Sequence, residues 1–231
     1  MKYQFLTNRK EIIKVDLFDE NDIIFVSEPD NIIAFQSDNH ENREDFIFDE
    51  LKIKKYKVKS KIIGKSSFYV KSKNNSSIKI FEINKDTSFI FNFNILFYTQ
   101  NIKIKTSIED INKAIFKNDI FRYECAGNGI LAYYVEGDSV EIFLSENETI
   151  FIHPNNVLGY DKNLSYEFKT YGNAKASMNM DYHYKFTGKG KIIIQTQSLS
   201  ADIKISNIEA GDGFMTRFVK EVIPGANIIL K

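Results

Sequence analysis

The sequence predicts an all-β protein built from three internal repeats of about 62 residues, packed as a pseudo-threefold β-prism or double-stranded β-helix-like body. Three observations carry that reading. Apolar residues alternate: Phe89, Phe91, Phe93, Ile95 and Phe97 share one face of an extended run, and Tyr182 to Phe186 and Tyr56 to Ile62 alternate in the same way. Turn-forming clusters bound such runs, at Asp19-Glu20-Asn21-Asp22, Asn84-Lys85-Asp86, Ser145-Glu146-Asn147-Glu148 and Gly211-Asp212-Gly213. The chain also repeats itself: shifted by 62 residues, Ser77–Lys105 lies on Ser139–Glu167 without a gap, with ten of 29 positions identical.

Taken in order, the first unit is the weakest copy. Val15 to Phe18 matches Val140 to Phe143, Glu20 to Val26 matches Glu146 to Ile152, and Pro29 to Ile33 matches Pro154 to Leu158, with one deletion and one insertion in turns. Three positions agree in all copies: Phe18/Phe81/Phe143, Phe25/Phe89/Phe151 and Asn31/Asn94/Asn156. The phenylalanines are expected at equivalent points of a shared core, and the asparagines in turns before an apolar strand. A glycine-led strand stands before the later units, at Gly64 to Val70 and Gly127 to Tyr133, and again alone at Gly188 to Ile194. That last strand, near 184–197, is expected to complete the first unit and close the array. Ser107–Phe116 is the one helix candidate, with a capping-box pair in Ser107 and Asp110 and with Ile108, Ile111 and Ile115 on one face.

No linker or composition break divides the 231 residues, so one domain spans 1–231, with units near 1–50, 51–112 and 113–175 and closing strands in 176–231. Twenty Phe and 12 Tyr supply an ample core. A formal net charge of zero argues against a general nucleic-acid binder. The single cysteine, Cys125, excludes a disulfide framework and fits a reducing, cytoplasmic setting. The N-terminus shows no signal peptide, and no apolar run is long enough to span a bilayer as a helix.

No catalytic constellation emerges, and neither a metal nor a cofactor is expected. His40, His153 and His183 make no ligand spacing with each other or with Cys125, which reads as a small buried hydrophobe. The pairs Gly127/Gly129, Gly188/Gly190 and Gly211/Gly213 lack the third glycine and following helix of a nucleotide loop, so they read as tight corners. Two surfaces remain as candidates. Lys57, Lys59 and Lys61 would project from one strand face as a comb, following an acidic stretch from Asp38 to Glu50. Such a comb suits an anionic lipid surface or RNA, or is simply a solvated face guarding an edge. Tyr133, Tyr182 and Tyr184 would line an aromatic surface for a small ligand or carbohydrate.

From about Ala114 to Gln197 the sequence resembles the altered-inheritance-of-mitochondria protein twenty-four family. The residues that carry this are Gly127-Asn128-Gly129-Ile130-Leu131, Val140 to Leu144, Glu148 to Ile152, Asn156 to Asp161, Phe186 to Gly190 and Ile192 to Gln195, with Gly159 where the family usually has Ala. The resemblance implies a fold like that of the tryptophan RNA-binding attenuation protein, and kinship to proteins of mitochondrial inner-membrane organisation. It brings no catalytic residues, and fold kinship to an RNA binder does not transfer function. The sequence therefore points to a non-enzymatic scaffold or interaction protein that binds a protein partner or itself, with no specific nucleic-acid partner expected.

Overall fold

The computed structural model describes residues 1–49, 57–73, 76–92, 95–108, 121–170 and 182–197. Those residues form an all-β protein of nineteen strands in four antiparallel sheets, none closed into a barrel. The strands are β1 (Lys2–Phe5), β2 (Ile12–Leu17), β3 (Ile23–Val26), β4 (Ile32–Ser37), β5 (Arg43–Asp49), β6 (Lys57–Ile63), β7 (Ser66–Lys71), β8 (Ser77–Ile83), β9 (Ser88–Phe91) and β10 (Ile95–Thr99). They continue with β11 (Ile102–Ile108), β12 (Phe121–Gly127), β13 (Gly129–Val135), β14 (Ser139–Leu144), β15 (Thr149–Ile152), β16 (Val157–Asp161), β17 (Ser165–Thr170), β18 (Tyr182–Thr187) and β19 (Gly190–Gln195). Ser107 and Ile108 end β11 rather than open a helix; the rest of the helix candidate lies outside the described residues.

The sheets run β1-β2-β7-β4, β5-β6-β3-β10-β13-β8, β11-β12-β9-β16-β19-β14 and β15-β18-β17. Three apolar clusters separate them. The first packs Ile13, Val15 and Phe68 of the first sheet on Ile24, Ile62 and Phe97 of the second. The second packs Leu131 and Tyr133 of the second sheet on Phe89, Phe91 and Cys125 of the third. The last packs Tyr160 and Ile192 of the third sheet on Tyr184 and Phe186 of the fourth. Among the described residues, the two middle sheets are thus covered on both faces and the outer two on one. This is why strands such as β10 and β16 are apolar at nearly every position instead of alternating.

Each glycine-led strand follows its partners in the chain and turns back onto them. β13 lies between β8 and β10, and β19 lies between β14 and β16. β18 and β19 therefore pair with β14 to β17, and the expected closure of the array onto the first unit does not occur. β7 already fills that place, between β2 and β4. The preceding hairpin turn explains the glycine. Gly127 has φ 129°, and a Cβ there would stand 2.0 Å from the Asn101 carbonyl oxygen.

Register also corrects the placement of the recurring phenylalanines. Tyr98 pairs with Leu131 and Leu131 with Phe81, whereas Tyr160 pairs with Ile192 and Ile192 with Ile142. Phe143 is thus one residue out of step with Phe81. Likewise Lys105, Glu124 and Ile90 form one cross-strand row, matched by Glu167, Lys185 and Phe151. Three residues separate β9 from β10 and four separate β15 from β16, which absorbs the slip. A one-residue slip changes the face. Phe89 is 1 % exposed but Phe151 is 39 % and Phe143 is 70 %, and Phe18, beyond the end of β2, is also exposed. They do not occupy equivalent core positions.

Candidate functional site

The lysine comb lies on β6, an interior strand paired with β5 and β3, so it does not guard an edge. Lys61 sits between Glu44 and Phe25 in register, and the Lys59 ammonium lies 4.6 Å from the centre of the Phe25 ring. Both side chains are half-buried against the sheet. Lys57 opens β6 opposite Asp49, and its side chain lies outside the described part of the molecule, as does that of Tyr182.

Tyr133 and Tyr184 are buried in two different clusters, so they do not form a common surface. Burial pushes the Tyr133 phenol up to about 12, helped by Glu141 and opposed by its bond to Ser139. Tyr184 packs among Tyr166, Phe168 and Phe186, and its hydroxyl accepts a hydrogen bond from Arg122 Nη2 at 3.2 Å. Arg122, itself buried, also bonds Tyr160, whose phenol burial pushes up to about 12. A buried guanidinium held by phenols was not legible in the sequence, because Arg122 and Tyr184 stand 62 positions apart.

His153 and His183, apart in sequence, meet edge to face with ring centres 5.8 Å apart through the pairing of β15 with β18. His153 Nδ1 accepts from the Asn155 N–H at 3.3 Å, capping the 3-10 turn Pro154–Asn156. Among the described residues, no group of three or more His, Cys, Asp and Glu is placed to hold a metal. His40 opens another 3-10 turn, away from this pair in sequence. Displaced carboxylates have structural partners: bonds to Lys14 and Ser67 hold Asp16 low, and at Asp45 the bonds to Arg43 and Ser60 outweigh burial.

The features that stand out are at the outer sheets and the edges. Ile33 on β4, Phe46 on β5, Val140 and Phe143 on β14, and Phe151 on β15 all expose large apolar surface. Phe143 flanks Lys191, whose ammonium lies 5.1 Å from its ring, 5.2 Å from the Phe81 ring and 2.8 Å from Glu141. β4 and β15 each end a sheet, and among the described residues each is paired on one side only.

Stacked antiparallel sheets whose outermost described strands are apolar define an all-β protein. The family model described as Mitochondrial biogenesis AIM24 matches residues 49–197, and the chain belongs to that family. The fold is similar to the crystal structure of protein SPYM3_0169 from Streptococcus pyogenes, with a TM-score of 0.67 at 15 % identity, over 86 % of this chain and 94 % of that one. No curated protein matches the chain. Among the described residues, no helix is long and apolar enough to cross a membrane.

Proposed function

We propose that this chain is a non-catalytic β-scaffold that works by binding other protein surfaces, within a family tied by its description to mitochondrial biogenesis. The observation that carries the reading is the contrast between a stack of sheets buried on both faces and terminal sheets whose apolar end strands are, among the described residues, paired on one side only. The titratable groups support it as well, since their shifts trace to burial and to structural partners. Repetition belongs to the same proposal. The pairing order of β8 to β13 recurs in β2 to β7 and in β14 to β19, which supports descent from one six-strand unit. The single, buried Cys125 is at home in a cytoplasmic setting. Affinity purification of the tagged chain from its native cell, with proteins, lipids and nucleic acid all identified, tests the reading. Stoichiometric protein partners are expected. A small metabolite or a turned-over substrate as the sole specific companion would overturn it.

A further inference from the structure

The four sheets differ in a way that names a partner. Each six-stranded sheet is two three-strand halves joined at one junction, β3 against β10 in the second sheet and β9 against β16 in the third. Among the described residues, the first sheet holds only the half that ends in β4, with β1 added at its other side. The fourth sheet, again among the described residues, holds only the half that ends in β15. β4 is the counterpart of β10 and β16: all three carry the same register shift, between Ile32 and Ala34, Ile95 and Phe97, and Val157 and Gly159. β15 is the counterpart of β3 and β9, paired with β18 as they are with β6 and β12.

The two internal junctions use one bonding pattern. The residue after β3 or β9 donates to the bulge carbonyl: Ser27 N–H to Leu96 O at 2.8 Å, and Asn92 N–H to Leu158 O at 2.9 Å. The residue following β10 or β16 by one donates back, Gln100 N–H to Ile23 O at 3.0 Å and Lys162 N–H to Ser88 O at 2.9 Å. Phe25 faces Tyr98 at the first junction, with rings 5.4 Å apart, and Ile90 faces Tyr160 at the second. At both junctions the bulge residue is sealed, Leu96 at 1 % and Leu158 at 0 % exposure. Its counterpart in β4, Ile33, lies on the face of the first sheet turned away from the first cluster and is 47 % exposed, and Ala34, counterpart of the buried Phe97, is exposed there too.

We propose that the β4 edge of one copy pairs antiparallel with the β15 edge of a second copy, joining two half-sheets into a full sheet like the two inside the chain. In this register Ala34 faces Ile152, Phe35 faces Phe151 and Gln36 faces Ile150. The His153 N–H reaches the Ile33 carbonyl, and the Ser37 N–H reaches the Thr149 carbonyl. The occupant is a second copy and not the other end of the same chain, because the second and third sheets stand between the two half-sheets and no described core cluster joins the first sheet to the fourth. Each copy keeps one edge of each kind, so assembly runs head to tail. The inference rests on the interaction reading above and supplies one partner for it.

Sedimentation and light scattering of the full chain across concentration test it. The mass is expected to grow with concentration. Ile33→Lys places a charge at an exposed bulge, and His153→Pro removes one donor where φ is already −62°. Each is expected to weaken self-association by roughly tenfold or more, with circular dichroism and melting temperature retained. An equimolar mixture of the two variants retains one working edge pair and should stop at a dimer. Growth that persists unchanged in both variants overturns the proposal. So does a Phe35→Cys/Phe151→Cys double variant that crosslinks only within single chains. A wild-type chain that stays monomeric while still capturing other proteins sinks this inference and leaves the interaction reading standing.

Discussion

Leu96 and Ile33 sit at the same bulge of two equivalent strands, β10 and β4, yet one is sealed and the other is half open to water. The difference lies in the neighbour, not in the residue. Leu96 lies in the cluster between the first and second sheets, whereas Ile33 lies on the other face of the first sheet, away from that cluster, where no described sheet covers it. Side-chain burial in a stacked-sheet protein is therefore decided by the order of stacking as much as by local sequence.

Removing side chains on either side of that comparison sharpens it most. Phe97→Ala, in β10 at the sealed junction, is expected to cost about 3–5 kcal/mol in chemical denaturation. Ile33→Ala at the open end is expected to stay within about 0.5 kcal/mol for the monomer. Equal losses at the two sites would break the comparison.

A second test uses alkali. Tyr133 belongs to the interior, and its folded phenol titrates at about 12 against an ordinary value of 10.0. Between those values the unfolded chain has lost the phenolic proton and the folded chain retains it, so stability falls as pH rises through that window. The loss from this group is about 2–3 kcal/mol once pH passes the folded value. Tyr133→Phe should flatten that part of the stability curve; a curve of unchanged slope would count against a buried, protonated phenol.

The smallest effect is expected on the half-buried face of β6. Lys59→Glu removes the ammonium from the Phe25 ring, and Lys61→Glu sets a carboxylate opposite Glu44. Together they should shift the urea midpoint by an amount equal to about 1 kcal/mol. If retention on anionic vesicles also collapsed in this double variant, the comb would be a binding surface and not only a packed sheet face.

Much of the fold was legible in the sequence. Alternation in Phe89 to Phe97 and the turn clusters marked an all-β chain, and the 62-residue echo placed Leu96 over Leu158 and Tyr98 over Tyr160, which the pairing shows in step. Pairing partners were not legible, because period and propensity are local and the return of β13 between β8 and β10 is not. The one-residue slip that turns Phe143 and Phe151 outward was hidden by chance identities on the gapless diagonal. Gly159 shows the same limit. Its close fit, with a Cβ there 2.8 Å from the Ile90 carbonyl oxygen, exists only at the junction of β16 with β9. The site was less legible still. Tyr184 alternates like a surface aromatic, but it packs in the third core, and the open edges can be seen only once the sheets are ordered.

Hydrogen exchange read by mass spectrometry at low and high protein concentration tests the central claim most directly. Peptides covering β4 and β15 are predicted to gain protection together as concentration rises, while those covering β10 and β16 stay equally protected throughout. Exchange in β4 and β15 that is the same at every concentration would contradict the account.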